Sequence, residues 1–476
     1  MHPVAAAMPR LAELAERPAV RRVSRAFEEA GHELALVGGP VRDALLGRAV
    51  TDLDFTTDAL PEVVERLVAP LASAQWDAGR AFGTVAARVA GETVEITTYR
   101  RDVYEPSSRK PEVVFGDTLD GDLRRRDFTA NAIAVRLPSL TIVEPTEGIT
   151  AIGERRLVTP SPPHESFDED PLRMMRAARF TSQLGFTLDA AAIAAMRDLV
   201  ERIDVVSQER VRDELVKLLA TDAARPGLEL LVDTGLADRV LPELPALRLT
   251  VDALHRHKDV YQHSLTVLEQ AVDLEHERFP GAPPDLVLRL AALLHDIGKP
   301  ATRRFEDGQV TFHHHDVVGA KLARKRLKAL RFPNEQVEQV AKLIELHQRF
   351  FGYGDAQWTD SAVRRYVRDA GDLLPRLHIL TRADVTTRNP RKVRRLATAY
   401  DDLERRIAEL REQEALEAIR PDLDGEAIMR ELDVPPGPVV GAAYRFLLEL
   451  RLDEGPLGEE EAVRRLHDWW RQHSAD

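Results

Sequence analysis

The sequence contains no cysteine, few aromatic residues and no long apolar run, and acidic residues outnumber basic ones. None of the 476 residues is cysteine, which excludes disulfide bonds and fits a reducing compartment such as the cytoplasm. No apolar stretch approaches the roughly 20 residues of a membrane span. Arginine and glutamate interrupt the alanine-rich N-terminal stretch, which is atypical of a signal peptide. We therefore expect a cytoplasmic protein without a membrane segment.

The net charge of −13 argues at first sight against a nucleic acid partner. However, the segments 321–331 (KLARKRLKALR) and 388–395 (RNPRKVRR) contain basic residues and no acidic ones. Such runs are usually solvated helix faces, but they could equally offset the phosphates of a nucleic acid.

The chain is too long for one hydrophobic core, so several domains are expected. Apolar residues at helical spacing predict a helical lead-in over residues 1–32. The pattern of residues 33–150 alternates between strand and helix, and from residue 151 it is helical almost to the C-terminus. Strands are predicted at 34–37, 53–56, 84–89, 93–98 and 133–135, with a helix at 61–67. The sequence therefore predicts an α+β fold with a small mixed-sheet head followed by helical domains.

Two short motifs near the start of the chain predict a phosphate site beside a metal site. In the segment 38–43 (GGPVRD), Gly38 and Gly39 follow an apolar strand and precede a helix start, where free N–H groups suit a phosphate. Arg42 could clamp the same phosphate. Asp52 and Asp54 follow in a strand-like segment, so their side chains should share a face and could hold Mg²⁺. Each motif alone is more often an ordinary turn, but together they indicate nucleotidyl transfer.

Two further features of the head have alternative interpretations. Glu95 would stand alone on one face of an apolar strand, either as a third carboxylate near Asp52 and Asp54 or as an ordinary edge-strand glutamate. The segment 102–109 (DVYEPSSR) contains proline and paired serines without periodicity, which predicts a mobile loop.

The glycine motif and the Asp-x-Asp pair, at this spacing, resemble the active-site signature of class II nucleotidyltransferases, the family of bacterial CCA-adding enzymes and poly(A) polymerases. The resemblance runs from about residue 34 to at least residue 384, and more loosely to the C-terminus. It implies a magnesium-dependent catalytic head in which Asp52 and Asp54 hold the metal. The segment 102–109 is similar to the family's flexible loop.

Residues 125–132 (RRDFTANA) match the family's Arg-Arg-Asp motif. The resemblance implies that Arg126 contacts the nucleotide and that Asp127 contacts the sugar hydroxyls. Adjacent arginines ahead of an aspartate and an asparagine suit triphosphate and ribose recognition. A local salt bridge would produce the same sequence pattern.

Glu169, Asp170 and Arg173 resemble the family's Glu-Asp-x-x-Arg motif. The resemblance implies that Asp170 and Arg173 read the incoming base in place of a nucleic acid template. Arg176 and Arg179, further along the same predicted helix, are expected to bind the nucleotide as well. A carboxylate and a guanidinium would pair with cytosine or adenine, whereas guanine and uracil present a carbonyl where the carboxylate needs a donor. The alternative is that Asp170 caps a helix on which Arg173, Arg176 and Arg179 form a solvated basic stripe.

A second group of potential metal ligands lies in the C-terminal half of the chain. An adjacent His-Asp pair follows a strongly apolar run, with further histidines and an aspartate at a distance. The set resembles the two-metal members of the HD superfamily of metal-dependent phosphohydrolases: His263, His295, Asp296, His315, His347 and Asp384. His313 and His314 leave the assignment of His315 ambiguous. The resemblance implies a working HD site with a divalent transition metal of unspecified identity.

The resemblance also implies an organisation in five regions. They are a lead-in at 1–32, the catalytic head at 33–150, a helical neck and body at 151–250, an HD domain at 251–390 and a helical tail at 391–476. In the body, the segment 208–219 is similar to a family motif in which Glu209 and Glu214 are expected to be structural. In the tail, the segment 435–438 (PPGP) is similar to an element through which CCA-adding enzymes meet tRNA.

The predicted reaction is the template-independent addition of C, C and A to tRNA 3′ ends from CTP and ATP. The predicted partners are therefore tRNA and these two nucleotides. The segment 79–85 (GRAFGTV) looks like the CCA-adding version, but poly(A) polymerases and enzymes that add only CC or only A share the head motifs. A rival of another class is an HD phosphohydrolase whose head merely binds RNA or nucleotide, and the intact Asp52 and Asp54 count against it.

Overall fold

The computed structural model describes residues 3–76, 83–103, 112–116, 118–248, 259–306, 309–353, 358–386, 389–414 and 420–473. The chain folds into two compact units, Met1–Pro245 and Ala246–Asp476. In the described ranges, no helix is both long enough and apolar enough to cross a lipid bilayer.

The first unit combines a mixed sheet with packed helices. Its strands are β1 (Leu34–Val37), β2 (Leu53–Thr57), β3 (Ala72–Trp76), β4 (Thr84–Val89), β5 (Glu92–Thr98), β6 (Arg100–Val103), β7 (Glu112–Phe115), β8 (Ala134–Leu137), β9 (Thr141–Val143), β10 (Arg156–Leu157) and β11 (Thr187–Leu188). Its helices are α1 (Pro3–Glu16), α2 (Pro18–Glu29), α3 (Gly39–Leu46), α4 (Pro61–Val68), α5 (Leu119–Arg124), α6 (Gly148–Gly153), α7 (Pro163–Glu169), α8 (Leu172–Leu184), α9 (Ala190–Asp198), α10 (Gln208–Leu219), α11 (Arg225–Asp233) and α12 (Leu236–Val240).

Seven strands form the main sheet in the order β3-β4-β5-β2-β1-β8-β9. The pairing of β2 with β5 is parallel, and the other neighbouring strands of this sheet are antiparallel. All four residues of β1 are buried, as expected for an apolar strand in the interior of a covered sheet. The helices α2, α3 and α4 pack on this sheet. The interior strand β1 leads directly into the turn that begins α3.

The helical part of the first unit is organised around α8, which packs against α10 and α11. Ser207 caps α10 by accepting a hydrogen bond from the Arg210 N–H, and Gly185 ends α8 in a left-handed conformation. Because α8 also carries Arg173, Arg176 and Arg179, its packing fixes the position of the basic residues that the sequence singled out.

In the described residues of the second unit, the regular elements are helices apart from one short hairpin. Its elements are α13 (Val260–Arg278), α14 (Leu286–Leu294), α15 (Lys299–Thr302), β12 (Arg304–Glu306), β13 (Gln309–Thr311), α16 (His315–Ala329), α17 (Asn334–Leu346), α18 (Asp360–Ala370), α19 (Leu374–Ala383), α20 (Pro390–Glu414), α21 (Gly425–Leu432), α22 (Pro438–Glu454) and α23 (Glu459–His473). The apolar α14 is in contact with α13, α17 and α19. The last three helices share a separate small core around Ile428, Leu447 and Leu466.

The α+β class is confirmed, and the predicted strands at 34–37 and 84–89 have the same bounds in the structure. Two predictions need correction. Asp52 lies immediately before β2 rather than within it. The first two residues of the predicted loop 102–109 belong to β6, which pairs with β7, whereas residues 104–109 lie outside the described residues. Residues 79–82 of the segment 79–85 also lie outside them.

Candidate active site and metal centre

The motifs of the head converge at the turn between β1 and α3. Gly38 has a φ of 72°, in the left-handed region that favours glycine. A Cβ atom on Gly38 would lie 3.3 Å from Arg126 Nη1, and one on Gly39 would lie 3.9 Å from both Asp54 Oδ2 and Arg42 Nη2. Because neither glycine has a side chain, two arginines and a carboxylate can approach the first turn of α3.

Three carboxylates meet beside this turn. In the parallel pairing of β2 with β5, Asp54 lies directly opposite Glu95, and the exposed Asp52 lies two residues before Asp54. Burial, with smaller contributions from the charges of Glu95 and Asp52, raises the pKa of Asp54 to about 6 against the opposing charges of Arg126 and Arg42. The ionised cluster is therefore unfavourable by itself, and a divalent cation bound to the same oxygens would relieve it.

Arg42 is buried and held in one orientation. Its Nε and Nη2 atoms each donate to Asp43 at 2.9 Å, and Nη1 donates to Asn131 Oδ1 at 2.8 Å. These contacts engage three of the five N–H donors of a guanidinium. The side chain is therefore fixed while retaining donors that could meet a phosphate.

Arg126 is held by a carboxylate that the sequence interpretation missed. Asp122 is fully buried and accepts from Arg126 Nη2 at 3.1 Å, from Arg125 and from Thr56. Arg126 Nε is buried and has no hydrogen-bond partner among the described residues. A buried donor without an acceptor is unusual, and a bound triphosphate oxygen would satisfy it. The signal was available, since Asp122 precedes the arginine pair by three and four residues.

Asp127 is engaged in a local network. Its carboxylate accepts from the Phe128 N–H at 2.7 Å, from Asn131 Nδ2 at 3.0 Å and from Arg176 Nε at 2.7 Å. Burial alone would raise the pKa of Asp127, but Arg176 and Asn131 hold it well below its usual range. The structure thus contains the local salt bridge that the sequence left open, and contact with sugar hydroxyls stays a prediction.

Arg173 and Asp170 lie at the start of α8. Arg173 is buried and donates from Nη1 to Ser166 Oγ at 2.8 Å and from Nη2 to the Arg125 carbonyl at 2.6 Å. Asp170 accepts from the Leu172 N–H at 3.2 Å and from Arg210 Nη2 at 3.4 Å. Asp170 therefore does make a cap-like contact, whereas Arg173 is a buried group rather than part of a solvated stripe.

The remaining arginines of α8 surround one aromatic ring. Arg179 donates to Glu214 Oε2 at 2.6 Å, and Arg176 lies 3.5 Å from Glu214 Oε1, so Glu214 has the structural role expected of it. The guanidinium carbons of Arg42, Arg176 and Arg179 lie 5.4, 5.4 and 4.0 Å from the centre of the Phe180 ring. Such contacts are attractive. Phe180 was missed, although its place four residues after Arg176 was a usable signal.

In the second unit, the six HD-type residues come together from the ends of five helices. His263 lies in the first turn of α13, His315 begins α16, and the other four follow α14, α17 and α19: His295, Asp296, His347 and Asp384. His263 Nε2 lies 2.9 Å from Asp384 Oδ1, and Asp296 Oδ2 lies 3.2 Å from His295 Nε2. Asp296 Oδ1 lies 3.4 Å from His315 Nε2.

The four histidines are oriented by hydrogen bonds on their outer nitrogens. The Nδ1 atoms of His295, His315 and His347 donate to the carbonyls three residues earlier, at 2.9, 2.8 and 2.6 Å. His263 Nδ1 lies 3.0 Å from Thr386 Oγ1. A carbonyl on Nδ1 fixes the tautomer that leaves Nε2 as the metal ligand.

The ligand atoms form two groups. One contains His263, His295 and Asp384, and the other contains Asp296, His315 and His347. His347 Nε2 is buried and has no hydrogen-bond partner among the described residues. This donor set of imidazoles and carboxylates fits a divalent transition metal, which either group of three ligands would hold.

The pKa values of the buried HD residues are shifted both by burial and by the charges of their neighbours. Burial would lower the pKa of His295, but Asp296 and Asp384 raise it to about 10. Burial, and to a smaller extent the charge of His295, lowers the pKa of His347 to about 4. The carboxylates therefore hold a proton on one imidazole, in the position where a cation would otherwise satisfy them.

Gly298 decides which of the consecutive histidines enters this site. A Cβ atom there would lie 2.0 Å from the His315 carbonyl oxygen and 2.7 Å from Gly319 N. The close approach seats α16 against the Asp296 segment, so that His315 is buried while His313 and His314 are exposed. The structure thus brings His315, and not its two neighbours, to the cluster.

Comparisons with known proteins agree with this arrangement. Residues 34–158 match the family model of the poly A polymerase head domain, residues 185–247 match a probable RNA- and SrmB-binding site of polymerase A, and residues 260–389 match the HD domain. An A-adding tRNA nucleotidyltransferase of Deinococcus radiodurans is 37% identical over 92% of this chain and 96% of its own length. A CC-adding tRNA nucleotidyltransferase of Thermus thermophilus is 34% identical over 91% of this chain and 93% of its own length.

A solved structure has the same fold. The crystal structure of the Bacillus stearothermophilus CCA-adding enzyme in complex with CTP covers 95% of this chain and 97% of its own, with a TM-score of 0.65 and 26% identity. Nucleotidyltransferase heads and HD domains are metal-dependent, which is consistent with divalent metals in both units. On these likenesses, which extend over nearly the whole chain, the protein belongs to the tRNA nucleotidyltransferase family.

Proposed function

We propose that the chain adds C, C and A to the 3′ end of tRNA, without a template, from CTP and ATP. The observation that carries the proposal is the convergence at Gly38 and Gly39. There, Asp54, Arg42 and Arg126 approach one helix start, although they come from separate motifs. The three relatives described above are named for adding A, CC or CCA.

In this proposal the head binds a nucleoside triphosphate through its own cations and a metal. Asp52 and Asp54 hold Mg²⁺, with Glu95 as a third carboxylate beside them. The metal supplies charge stabilisation at the attacking hydroxyl and the leaving pyrophosphate. Arg42 and Arg126 hold the triphosphate, and the buried, unsatisfied Nε of Arg126 supports that role.

Base choice is assigned to Asp170 and Arg173, with Arg176 and Arg179 supporting the same face of α8. Arg173 is buried and held by Ser166 and the Arg125 carbonyl, so its remaining donors are aimed before a base arrives. Preorganised donors discriminate better than mobile ones, because a wrong base leaves them unpaired. Asp127 is assigned to the sugar through the same network that it forms with Arg176.

The second unit is proposed to be a separate metal-dependent phosphohydrolase site, with a transition metal held by the six HD residues. The boundaries proposed for it are 251–390, between a body at 151–250 and a tail at 391–476. We further propose that the tail contacts tRNA and that the protein acts in the cytoplasm. The two groups of three ligand atoms, one with Asp384 and one with Asp296, support a working centre.

Partial addition is the second candidate, because two relatives that match over nearly the whole chain are an A-adding and a CC-adding enzyme. Three tRNA transcripts separate the candidates: one lacking CCA, one ending in C and one ending in CC. A CCA-adding enzyme completes all three, an A-adding enzyme extends only the last, and a CC-adding enzyme stops at CC.

The experiment incubates purified protein with each transcript and with CTP, ATP or both, and sequences the products. A single terminal CCA on the first transcript is the expected result. A long run of A on an unrelated RNA would instead identify a poly(A) polymerase. If no nucleotide is added to any transcript, the proposal fails and the HD phosphohydrolase alternative takes its place.

A further inference from the structure

The loop between α3 and β2 carries Asp52 and is held by side chains from outside it. Asp52 lies just before β2 and therefore outside the strand pairing that sets Asp54 against Glu95. Its position must depend on the preceding residues 47–51. The contacts of this loop therefore help to determine where Asp52 lies in the metal site.

Arg17, between α1 and α2, ties this loop to the strand that carries Glu95. Its Nη1 donates to the Val50 carbonyl at 3.0 Å, two residues before Asp52. Its Nη2 forms an ion pair with Glu92, the first residue of β5 and three residues before Glu95. One guanidinium thus spans the two segments that bear the outer carboxylates of the site.

Two other arginines hold the same connection. Arg10 Nη1 donates to the Ala44 carbonyl at 2.9 Å, and its guanidinium lies 3.2 Å from the position of a Cβ on Gly47. Arg48, in the loop itself, donates from Nη1 to the Gln183 carbonyl at 2.8 Å, near the end of α8. The loop is therefore fixed at both ends, and Arg17 acts on the part nearest to Asp52.

We propose that Arg17 is a positioning residue for the metal site of the head, and that the N-terminal helices serve the nucleotidyl transfer through it. This inference rests on the proposed function. Arg17 lies before residue 34, where the match to the head family begins, so no role is assigned to it by that match. The helices α1 and α2 themselves are held by apolar residues that are fully buried, including Leu11, Val20, Val23 and Phe27.

Loss of Arg17 should therefore leave the helices folded and release the loop. The Val50 carbonyl loses its donor, Glu92 loses its cation, and Asp52 is no longer fixed relative to Asp54 and Glu95. Residues that orient metal ligands typically contribute about 10- to 100-fold to metal affinity or activity. The expected effect is on metal binding more than on the rate at saturating metal.

The test compares Arg17→Ala, Arg17→Lys and Glu92→Gln with Arg21→Ala as a matched control. Arg21 lies four residues after Arg17, in α2, is exposed and pairs only loosely with Glu16 at 3.7 Å. Mn²⁺ binding to the full chain is measured by electron paramagnetic resonance, and Asp52→Asn identifies the share bound by the head. Nucleotide addition is then titrated with Mg²⁺, and a thermal melt checks the fold.

Arg17→Ala should weaken Mn²⁺ binding to the head and raise the Mg²⁺ concentration for half-maximal addition, each by roughly 10- to 100-fold. The rate at saturating Mg²⁺ should stay close to that of the unmodified protein. Arg17→Lys should recover part of this loss, Glu92→Gln should show a smaller loss in the same direction, and Arg21→Ala should show none.

Unchanged Mn²⁺ binding in Arg17→Ala would overturn the inference, as would a lower saturating rate with an unchanged Mg²⁺ requirement. If Arg17→Ala does not fold, Glu92→Gln decides in its place, and a normal metal response in that variant overturns the inference. Full addition by Asp52→Asn would instead refute the proposed catalytic site. The two failures are thus distinguishable.

Discussion

The candidate metal sites of the two units differ in their ligand types and in their burial. In the first unit the candidate ligands are carboxylates at the end of one strand pair, and Asp52 and Glu95 are exposed. In the second unit His295, Asp296, His315 and His347 are all at least 96% buried, and their imidazoles are fixed by carbonyls on Nδ1.

This difference indicates two kinds of metal use. An exposed set of oxygen ligands suits Mg²⁺, which keeps several waters and is bound together with substrate phosphates. A buried set of oriented imidazoles and carboxylates suits a transition metal that stays with the protein. The comparison therefore supports the proposal of an exchangeable ion in the head and a resident one in the HD cluster.

The largest expected effect comes from removing the half-buried carboxylate of the head, Asp54. Asp54→Ala should lower nucleotide addition by at least about 10²–10³-fold, which is what loss of one charge-stabilising group in an active site typically costs. Primer extension with CTP and ATP on tRNA lacking CCA measures it. Asp58→Ala, a substitution of an exposed aspartate that bonds His32 and the Glu33 N–H, serves as the control. Near-normal addition by Asp54→Ala would remove the metal assignment.

The second prediction separates the two sites. The double substitution His295→Ala and Asp296→Ala should remove the tightly bound transition metal and any phosphohydrolase activity toward small nucleotides or cyclic phosphates, and leave addition unchanged. Elemental analysis and a primer-extension assay on the same preparation check both parts. A folded double variant that has lost nucleotide addition would show that the sites act as one.

The third prediction concerns base choice. Arg173→Ala should weaken discrimination against UTP and GTP, because an unmet buried polar group costs about 1–3 kcal/mol, or roughly 5- to 150-fold. Asp170→Ala should favour UTP relative to CTP, since the carboxylate no longer meets a carbonyl. Single-nucleotide addition with each of the four triphosphates gives these ratios. If Asp170 only caps α8, its replacement should lower stability by roughly 1 kcal/mol with an unaltered CTP:UTP ratio.

The smallest effect is a pH dependence. Because the pKa of Asp54 is raised to about 6, protonation should compete with Mg²⁺ there. At subsaturating Mg²⁺, addition should decline by up to about tenfold per unit below pH 6.

In the metal-free protein, the raised pKa of Asp54 should make the folded state less stable as the pH rises. A carboxyl whose folded pKa lies above its unfolded value of about 3.9 favours folding when protonated, and this contribution is lost as the pH rises through about 6. Asp54→Asn should therefore melt at a higher temperature than the unmodified protein above pH 6, and the difference should vanish near pH 4. A difference that does not change with pH would contradict the raised pKa.

Much of the fold was predictable because the signals were local. The apolar runs predicted β1 and β4, and the PPGP segment follows α21 and ends on Pro438, the first residue of α22. The residues Leu396, Tyr400, Leu403 and Ile407, which recur at helical spacing, form a buried face along α20. Each of these features depends on residues close together in the chain.

The contacts that the sequence left open or did not show depend on strand order and on distant partners. Nothing in the sequence shows that β2 and β5 are parallel neighbours, which is what places Asp54 opposite Glu95. The link from Arg17 to Val50 joins residues 33 positions apart. By contrast, the Nδ1 bonds of three HD histidines span only three residues, and adjacent helix ends could have suggested them.

The most direct test of the two-site account is metal replacement in one preparation. The protein is stripped of all metal with a chelator, and Mg²⁺ alone is returned while the transition-metal content and nucleotide addition are both measured. The account predicts that addition to tRNA recovers fully with Mg²⁺ while the HD cluster holds no transition metal. Recovery that requires a transition metal, and follows occupancy of the HD cluster, would contradict it.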